Sequence, residues 1–261
     1  MKPRGTPLSD LPAAPPLVEI AGRRSKAERK RRRRGAVRLA SLLAGVLVLA
    51  EILLLLLLWR QTRTHPRYWA ARAAEAAAPN ALRVVAFGDS AAMGIGAWRP
   101  EESLVARVGE YLGKRTGRPV HLTNLSTGGG TVGTVLEQLP RADLGNADVV
   151  IVVAGSSDTI ANVPLDEFRA NLRKLVEHVP AAKLILSDVP LQQGRDPYQR
   201  VLAEVADAAH VAHADFAAAF MAARRLDVFA PDLTHVNSLG YQIWFMAFRP
   251  HLDAMLDRFS R

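Results

Sequence analysis

There is no cysteine in the 261 residues, which excludes a disulfide framework, thiolate metal sites and a thiol nucleophile. Histidines are few and scattered, at 65, 121, 178, 210, 213, 235 and 251, and no H-E-x-x-H pattern occurs. His210 and His213 flank a short apolar segment and read as loop residues, so neither a metal nor any other cofactor is expected. Aromatic residues make up only 6% of the chain. Those gathered near the end, Tyr241, Trp244, Phe245 and Phe248, read as one face of a packing helix spanning Ser238 to Phe259 and not as a ligand platform. Net charge is absent from most of the chain. Residues 39–261 hold 22 basic and 22 acidic residues, whereas residues 1–38 hold twelve basic against three acidic, which is the whole excess of +9.

That asymmetry sits beside a long apolar run. Leu39 to Trp59 is 21 residues, enough at about 1.5 Å per residue to cross a hydrocarbon core of about 30 Å. Glu51 interrupts it at a cost of about 3 kcal/mol. Its fourteen Leu, Val and Ile residues contribute about −0.5 kcal/mol each, so insertion still wins. The cluster from Arg23 to Arg34 set against this span is a topology signal that keeps the amino terminus cytoplasmic and places the chain beyond Trp59 outside; nucleic acid is not an expected partner. A cleaved signal peptide is the alternative. Its apolar core would span only about 7–15 residues, and the nearest small-residue stretch, Ala76 to Ala78, lies far downstream. The expected organisation is a basic, Pro-rich, disordered cytoplasmic tail over 1–38, a transmembrane helix over 39–59, a linker over 60–81 and one domain over 82–261.

Within that domain strand-like and helix-like segments alternate. Apolar runs at Leu82–Phe87, His121–Leu125, Val149–Val153 and Lys183–Asp188 read as buried strands. Thr131–Leu139, Leu165–Val179 and Tyr198–Ala209 carry helical periodicity. This pattern predicts an α/β fold, a three-layer α/β/α sandwich with a mainly parallel sheet. Leu191–Pro197, rich in Gln, Gly and Pro, fits neither period and reads as a loop, either lining the substrate site or merely connecting.

Chemistry concentrates where those strands end. Gly88-Asp89-Ser90 follows the first strand, and the glycine allows a sharp turn that leaves Ser90 at the carboxyl edge where open α/β sheets bind ligands. Asp232-Leu233-Thr234-His235 brings a carboxylate and an imidazole within one turn. A serine hydroxyl needs such an imidazole to take its proton, and the imidazole needs a carboxylate to fix its tautomer. Either segment alone is an ordinary cap or surface pair; together with Asn124-Leu125-Ser126-Thr127-Gly128-Gly129-Gly130-Thr131 and Gly155-Ser156-Ser157-Asp158 they form four ordered blocks. In these blocks the chain resembles the SGNH (GDSL-type) hydrolases over roughly residues 82–257. The resemblance implies Ser90 as nucleophile, His235 as general base and Asp232 as its orienting acid. It also implies an oxyanion hole built from the N–H groups of Ser90 and Gly129 and a third donor at Ser157. The family has asparagine at that third position, and the loss of one donor is worth about 10²–10³ in turnover unless Ser157 or the nearby Asn162 compensates. Ala91 replaces the family's leucine without chemical consequence.

Two competing motifs fall away. Gly128 to Gly133 satisfies G-x-G-x-x-G, but the acidic residue about 20 positions on, Asp148, precedes its strand and would lie at the wrong edge for a ribose. Ala92 breaks the G-x-S-x-G elbow. The expectation is a membrane-tethered, extracytoplasmic hydrolase of carboxylic esters, taking small-molecule, acylated glycan or lipid substrates. The alternatives are an O-acyltransferase to envelope sugars and a catalytically weak glycan-binding domain.

Overall fold

The computed structural model describes residues 26–188 and 196–259. Its core is a five-stranded parallel sheet in the order β2-β1-β3-β4-β5, with β1 Leu82–Gly88, β2 Val120–Asn124, β3 Val149–Val153, β4 Leu184–Ser187 and β5 Ala212–Ala214. The chain runs from β1 outward to β2 and then returns past β1 to β3. The carboxyl ends of β1 and β3 therefore form the switch point at which this strand order opens a crevice.

Helices cover both faces, which is why the strands are apolar throughout instead of alternating with polar residues. Val84 and Ala86 point into one core, shared with Val105 and Leu112 of α3 (Leu104–Thr116) and Trp244 and Phe248 of α9 (Ser238–Phe259). Val85 and Phe87 point into the other, shared with Val135 of α4 (Val132–Gln138), Phe168 and Leu172 of α6 (Leu165–His178) and Val201 of α7 (Asp196–Ala208). Each fully buried side chain of this size is worth about 1.5–3 kcal/mol. Short helices α2 (Ser90–Met93), α5 (Ser156–Ile160) and α8 (Phe216–Ala223) follow β1, β3 and β5. The carboxylate of Asp148 accepts from the Arg83 N–H at 2.8 Å, next to the start of β1, so it stands at the opposite edge from the crevice.

The amino-terminal part departs from the sequence expectation. No linker begins at residue 60: α1 runs unbroken from Lys26 to Ala74. Lys26 to Arg38, expected as disordered tail, is the first part of this helix, while Met1 to Pro16 lies outside the described residues. The division between compact units falls at Ala50/Glu51, so the residues from Glu51 onward group with the α/β domain. Packing explains the helicity past Trp59. Leu54, Leu58, Gln61, His65 and Trp69 recur at intervals of three and four and lie on one face. Leu58, His65 and Trp69 are buried, the last within the core shared with α9. The Trp69 indole N–H donates to the Met93 carbonyl at 2.8 Å. The Gln61 amide both donates to the Ala97 carbonyl and accepts from the Gly96 N–H, each at 2.8 Å. The other departures are smaller. His213 lies in the edge strand β5, whose three residues are too few to show a period, and the loop beginning at Leu191 falls outside the described residues up to Gly194 and Arg195.

Trp69→Ala should destabilise the full-length protein by about 3–5 kcal/mol, the cost of a large buried aromatic. Arg67→Ala, on the exposed side of the same helix, should stay within about 0.5 kcal/mol. Urea unfolding of detergent-solubilised protein checks both values, and equal effects would mean that α1 is not part of the domain core.

Candidate active site

The crevice is built around one turn. Gly88, the last residue of β1, has φ +141°, and a Cβ there would sit 2.0 Å from the Val153 carbonyl oxygen. Only glycine lets β1 end this close to β3. Asp89 follows, donates its N–H to the same Val153 carbonyl at 3.3 Å and caps α2, its carboxylate accepting the Ala91 N–H at 2.8 Å. Ser90 thereby starts α2 at the carboxyl edge of the sheet.

The partner groups arrive from 145 residues further on. The segment 227–237 is folded back on itself by the Phe229/Val236 bridge and by the Asn237 side chain. That amide donates to the carbonyls of Asp227 and Phe229, and its oxygen accepts from the N–H groups of Leu239 and Gly240 at the start of α9. Within it, Leu233 takes φ +54°, a conformation that bulky residues rarely adopt. This bend turns Asp232 and His235 toward each other. Asp232 Oδ2 lies 2.6 Å from His235 Nδ1, and Oδ1 accepts the backbone N–H groups of Thr234 and His235, each at 3.1 Å. A carboxylate only accepts, so Nδ1 carries a proton and Nε2 is left as an acceptor. Nε2 stands 2.8 Å from Ser90 Oγ. The geometry thus joins all three residues singled out as a triad. Burial raises the Asp232 pKa, but the hydrogen bonds from His235 outweigh it and hold the carboxyl below its usual range.

The expected oxyanion donors Ser90, Gly129 and Ser157 follow the carboxyl ends of β1, β2 and β3 in turn. The loop after β2 is stitched to the Ser90 turn: the Leu125 N–H donates to the Ala86 carbonyl at 2.8 Å and the Thr127 N–H to the Gly88 carbonyl at 3.0 Å. Gly129 is at the loop's crest with φ +75° and open space where a Cβ would point, so its backbone shape and not its small size is what the position requires. Ser157 lies on α5, just past the end of β3, and is buried. Asn162 is exposed two residues beyond α5, its amide nearest the Ile160 carbonyl at 3.5 Å.

Several supporting residues had no recognised role in the sequence. Asn124 spans two loops, donating to the Ala92 carbonyl at 2.9 Å and accepting from the Ser126 N–H and hydroxyl. The buried Tyr241 hydroxyl is shared between the carbonyls of Ala91 at 3.0 Å and Ile95 at 2.7 Å, which ties α9 to the segment that carries Ser90. Asp158 is buried and accepts from the Val132 N–H through both oxygens at 3.2 Å, joining α5 to the start of α4. Burial pushes Asp89 and Asp158 up to about 6 each, against the opposing pull of the Ala91 and Val132 N–H groups. Only the apolar surroundings, invisible in a string of residue letters, reveal that shift.

A family model described as GDSL-like lipase/acylhydrolase matches residues 86–243. Among solved structures the chain is similar to TesA, at 19% identity over 66% of this chain and 99% of that one, with a TM-score of 0.57. It is similar to the lipase/acylhydrolase from Enterococcus faecalis, at 21% identity over 66% and 96% with a TM-score of 0.56. Axe2, an acetylxylan esterase from Geobacillus stearothermophilus, matches at 22% identity over 67% and 96% with a TM-score of 0.53. Identities this low carry the fold alone. No curated protein matches the chain in sequence.

The two raised carboxyls set a pH dependence. Between about pH 4 and 6 the unfolded chain releases these protons while the folded one keeps them, so stability is fully present below about 4 and falls as pH rises through about 6. Asp232, held low, acts the opposite way and only below about 4. The expected loss across the window is of order 1–3 kcal/mol for each raised carboxyl. Asp89→Asn, which keeps the cap, should remove its share. Denaturant unfolding at pH 4, 5, 6 and 7 measures this, and parallel curves for the two proteins would contradict it.

Proposed function

The chain belongs to the GDSL-like lipase/acylhydrolase family and is an ester-hydrolysing serine hydrolase, and on that premise we propose that Ser90, His235 and Asp232 perform the hydrolysis on the extracytoplasmic side of the membrane. The 2.8 Å contact between Ser90 Oγ and His235 Nε2 carries the reading. Nε2 takes the hydroxyl proton as Oγ bonds to the ester carbonyl carbon, giving a tetrahedral oxyanion and an imidazolium that Asp232 stabilises. Collapse of that intermediate breaks the bond to the alcohol, which leaves with the proton from Nε2. Water then repeats the sequence on the acyl-serine, releasing the acid and restoring Ser90. The N–H of Ser90, left over because the Asp89 carboxylate takes that of Ala91, points the oxyanion to the start of α2, with the Gly129 N–H and the Ser157 hydroxyl as the further donors.

The tether reading rests on α1, whose most apolar stretch has a mean hydropathy of 2.8 and whose residues from Lys30 to Leu53 are all exposed. The basic cluster on its amino-terminal side favours a cytoplasmic amino terminus. Cleavage near Ala76–Ala78 would remove Leu58, His65 and Trp69 from the packed domain, which argues for an uncleaved anchor. An outward, membrane-proximal position favours acylated envelope glycans or lipids as substrates, and the likeness to Axe2, by its name an acetylxylan esterase, supports a glycan ester. An acceptor sugar in place of water would make the same acyl-serine a transferase intermediate. Ser157 at the third donor position is what favours a weak, glycan-binding domain instead.

A membrane-impermeant fluorophosphonate should label Ser90 both in intact cells and in broken membranes. Ser90→Ala or His235→Ala should lower ester turnover by about 10⁴-fold or more. Label on another residue would sink the nucleophile assignment; label only after cell breakage would reverse the orientation.

The third donor has its own test. If the Ser157 hydroxyl contributes nothing, Ser157→Asn should raise turnover by up to about 10²-fold. If it already donates, Ser157→Ala should lower it. Ester hydrolysis unchanged in the Ser157→Ala/His235→Ala double variant would place the activity elsewhere and leave the glycan-binding reading.

A further inference from the structure

We infer that the cavity between the end of the apolar run and the Asp232–His235 loop holds the acyl chain of an ester dissolved in the bilayer, so that substrate enters from the membrane and not from water. This rests on the ester-hydrolase and anchored readings and names their substrate class. Its starting point is depth. The face of α1 that packs on the domain becomes half-buried at Leu54 and buried at Leu58, before the apolar run ends at Trp59. The domain thus meets the helix over about 7 Å of axis that belongs to the hydrocarbon-matched segment. Whatever lies opposite Leu54 and Leu58 is at that depth too, and there the surrounding solvent is acyl chain.

What lies opposite is the catalytic loop. Leu54, Leu57 and Leu58 line one side of a cavity of about 400 Å³, and Phe229, Pro231 and Leu233 line the other, a volume within the usual range of about 300–1,000 Å³ for small-molecule sites. Its polar neighbours are mostly satisfied internally. Gln61 spends both ends of its amide on Ala97 and Gly96, and Asn237 spends both of its own on the loop and α9. Among the described residues Glu51 is the one charged group on this lining, exposed and one turn before Leu54. Two lining residues, Trp98 and Leu233, leave 67% and 78% of their surfaces uncovered by protein. In water such exposure wastes apolar area; against lipid it does not. Leu233 also occupies a positive-φ position where glycine or asparagine would be easier, and it lies between Asp232 and His235 in the chain. Gly96, also on this lining, has the His235 Cβ 3.0 Å from where a Cβ of its own would sit, so the cavity borders the backbone of the residue proposed to activate Ser90.

The test uses the full chain in phosphatidylcholine vesicles containing a phosphatidylcholine with a diazirine at one acyl terminus. Ser90→Ala prevents its consumption. Photolysis should place adducts on Leu54, Leu58 and Leu233 as well as on the lipid-facing Leu53 and Leu56, and excess long-chain ester should suppress only the first group. Equal suppression around the helix overturns the inference. So does disulfide dimerisation of a Leu233→Cys variant, unambiguous in a chain without cysteine, because a second copy would then cover this face. In a separate assay Leu54→Trp, which fills the cavity, should lower the ratio of palmitoyl to acetyl p-nitrophenyl ester turnover roughly tenfold; an unchanged ratio overturns the inference. Selective suppression in a wild-type protein that hydrolyses neither ester would instead sink the esterase reading and leave the lipid cavity standing.

Discussion

The close approach of Gly88 to the Val153 carbonyl is the constraint on which the rest of the site depends. A parallel pair of strands normally ends in two independent loops. Here the end of β1 is pressed against the end of β3, and the chain must turn immediately. Asp89 stabilises that turn from within the protein, where its carboxyl is held largely protonated until about pH 6. The serine at the next position has no freedom to be elsewhere. Asn124 and Tyr241 then hold the far end of α2 through the carbonyls of Ala92 and Ala91. Ser90, the proposed nucleophile, is thus held through its neighbours' backbone groups, and its own hydroxyl is left to meet His235.

Much of this was legible in the sequence because it rests on short-range patterns. β1, β3 and β4 are uninterrupted apolar runs, and α6 repeats apolar residues every three or four positions, so strand and helix boundaries fell within a residue or two of those found. Ser90, Asp232 and His235 could be singled out as candidates because the last two share a turn, the first follows a strand, and both segments belong to the four ordered blocks. α3 declares itself less plainly. Ser103 caps it and one of its faces is apolar, but Gly109 and Gly113 stand inside it, each weakening a helix by about 1 kcal/mol relative to alanine. β5 and α8 are three and eight residues long, too short for a period to show. The continuation of α1 past Trp59 was illegible for a different reason: its spacing of Leu54, Leu58, Gln61, His65 and Trp69 mixes apolar with polar residues. Gln61 looks solvent-facing until its partners, supplied by the loop after α2, are known, and His65 until its burial is.

The buried carboxyls make the same point about electrostatics. Asp89, Asp158 and Asp232 are indistinguishable as letters, yet burial dominates two of them and a histidine the third. Asp89 and Asp158 fasten loops together by accepting backbone N–H groups, and Asp232 does so for its own turn while holding the imidazole.

The separation of 145 residues between Ser90 and His235 has a consequence in time. Contacts that span most of a domain form late, since the loop between them must close first. The serine emerges early during synthesis, and the strands and helices between can gather around β1 as they emerge. The imidazole arrives only with the segment leading into α9. In the proposed mechanism the hydroxyl is, until that last helix packs, an ordinary alcohol beside an unfinished crevice, and a half-made chain would carry no hydrolytic activity to restrain.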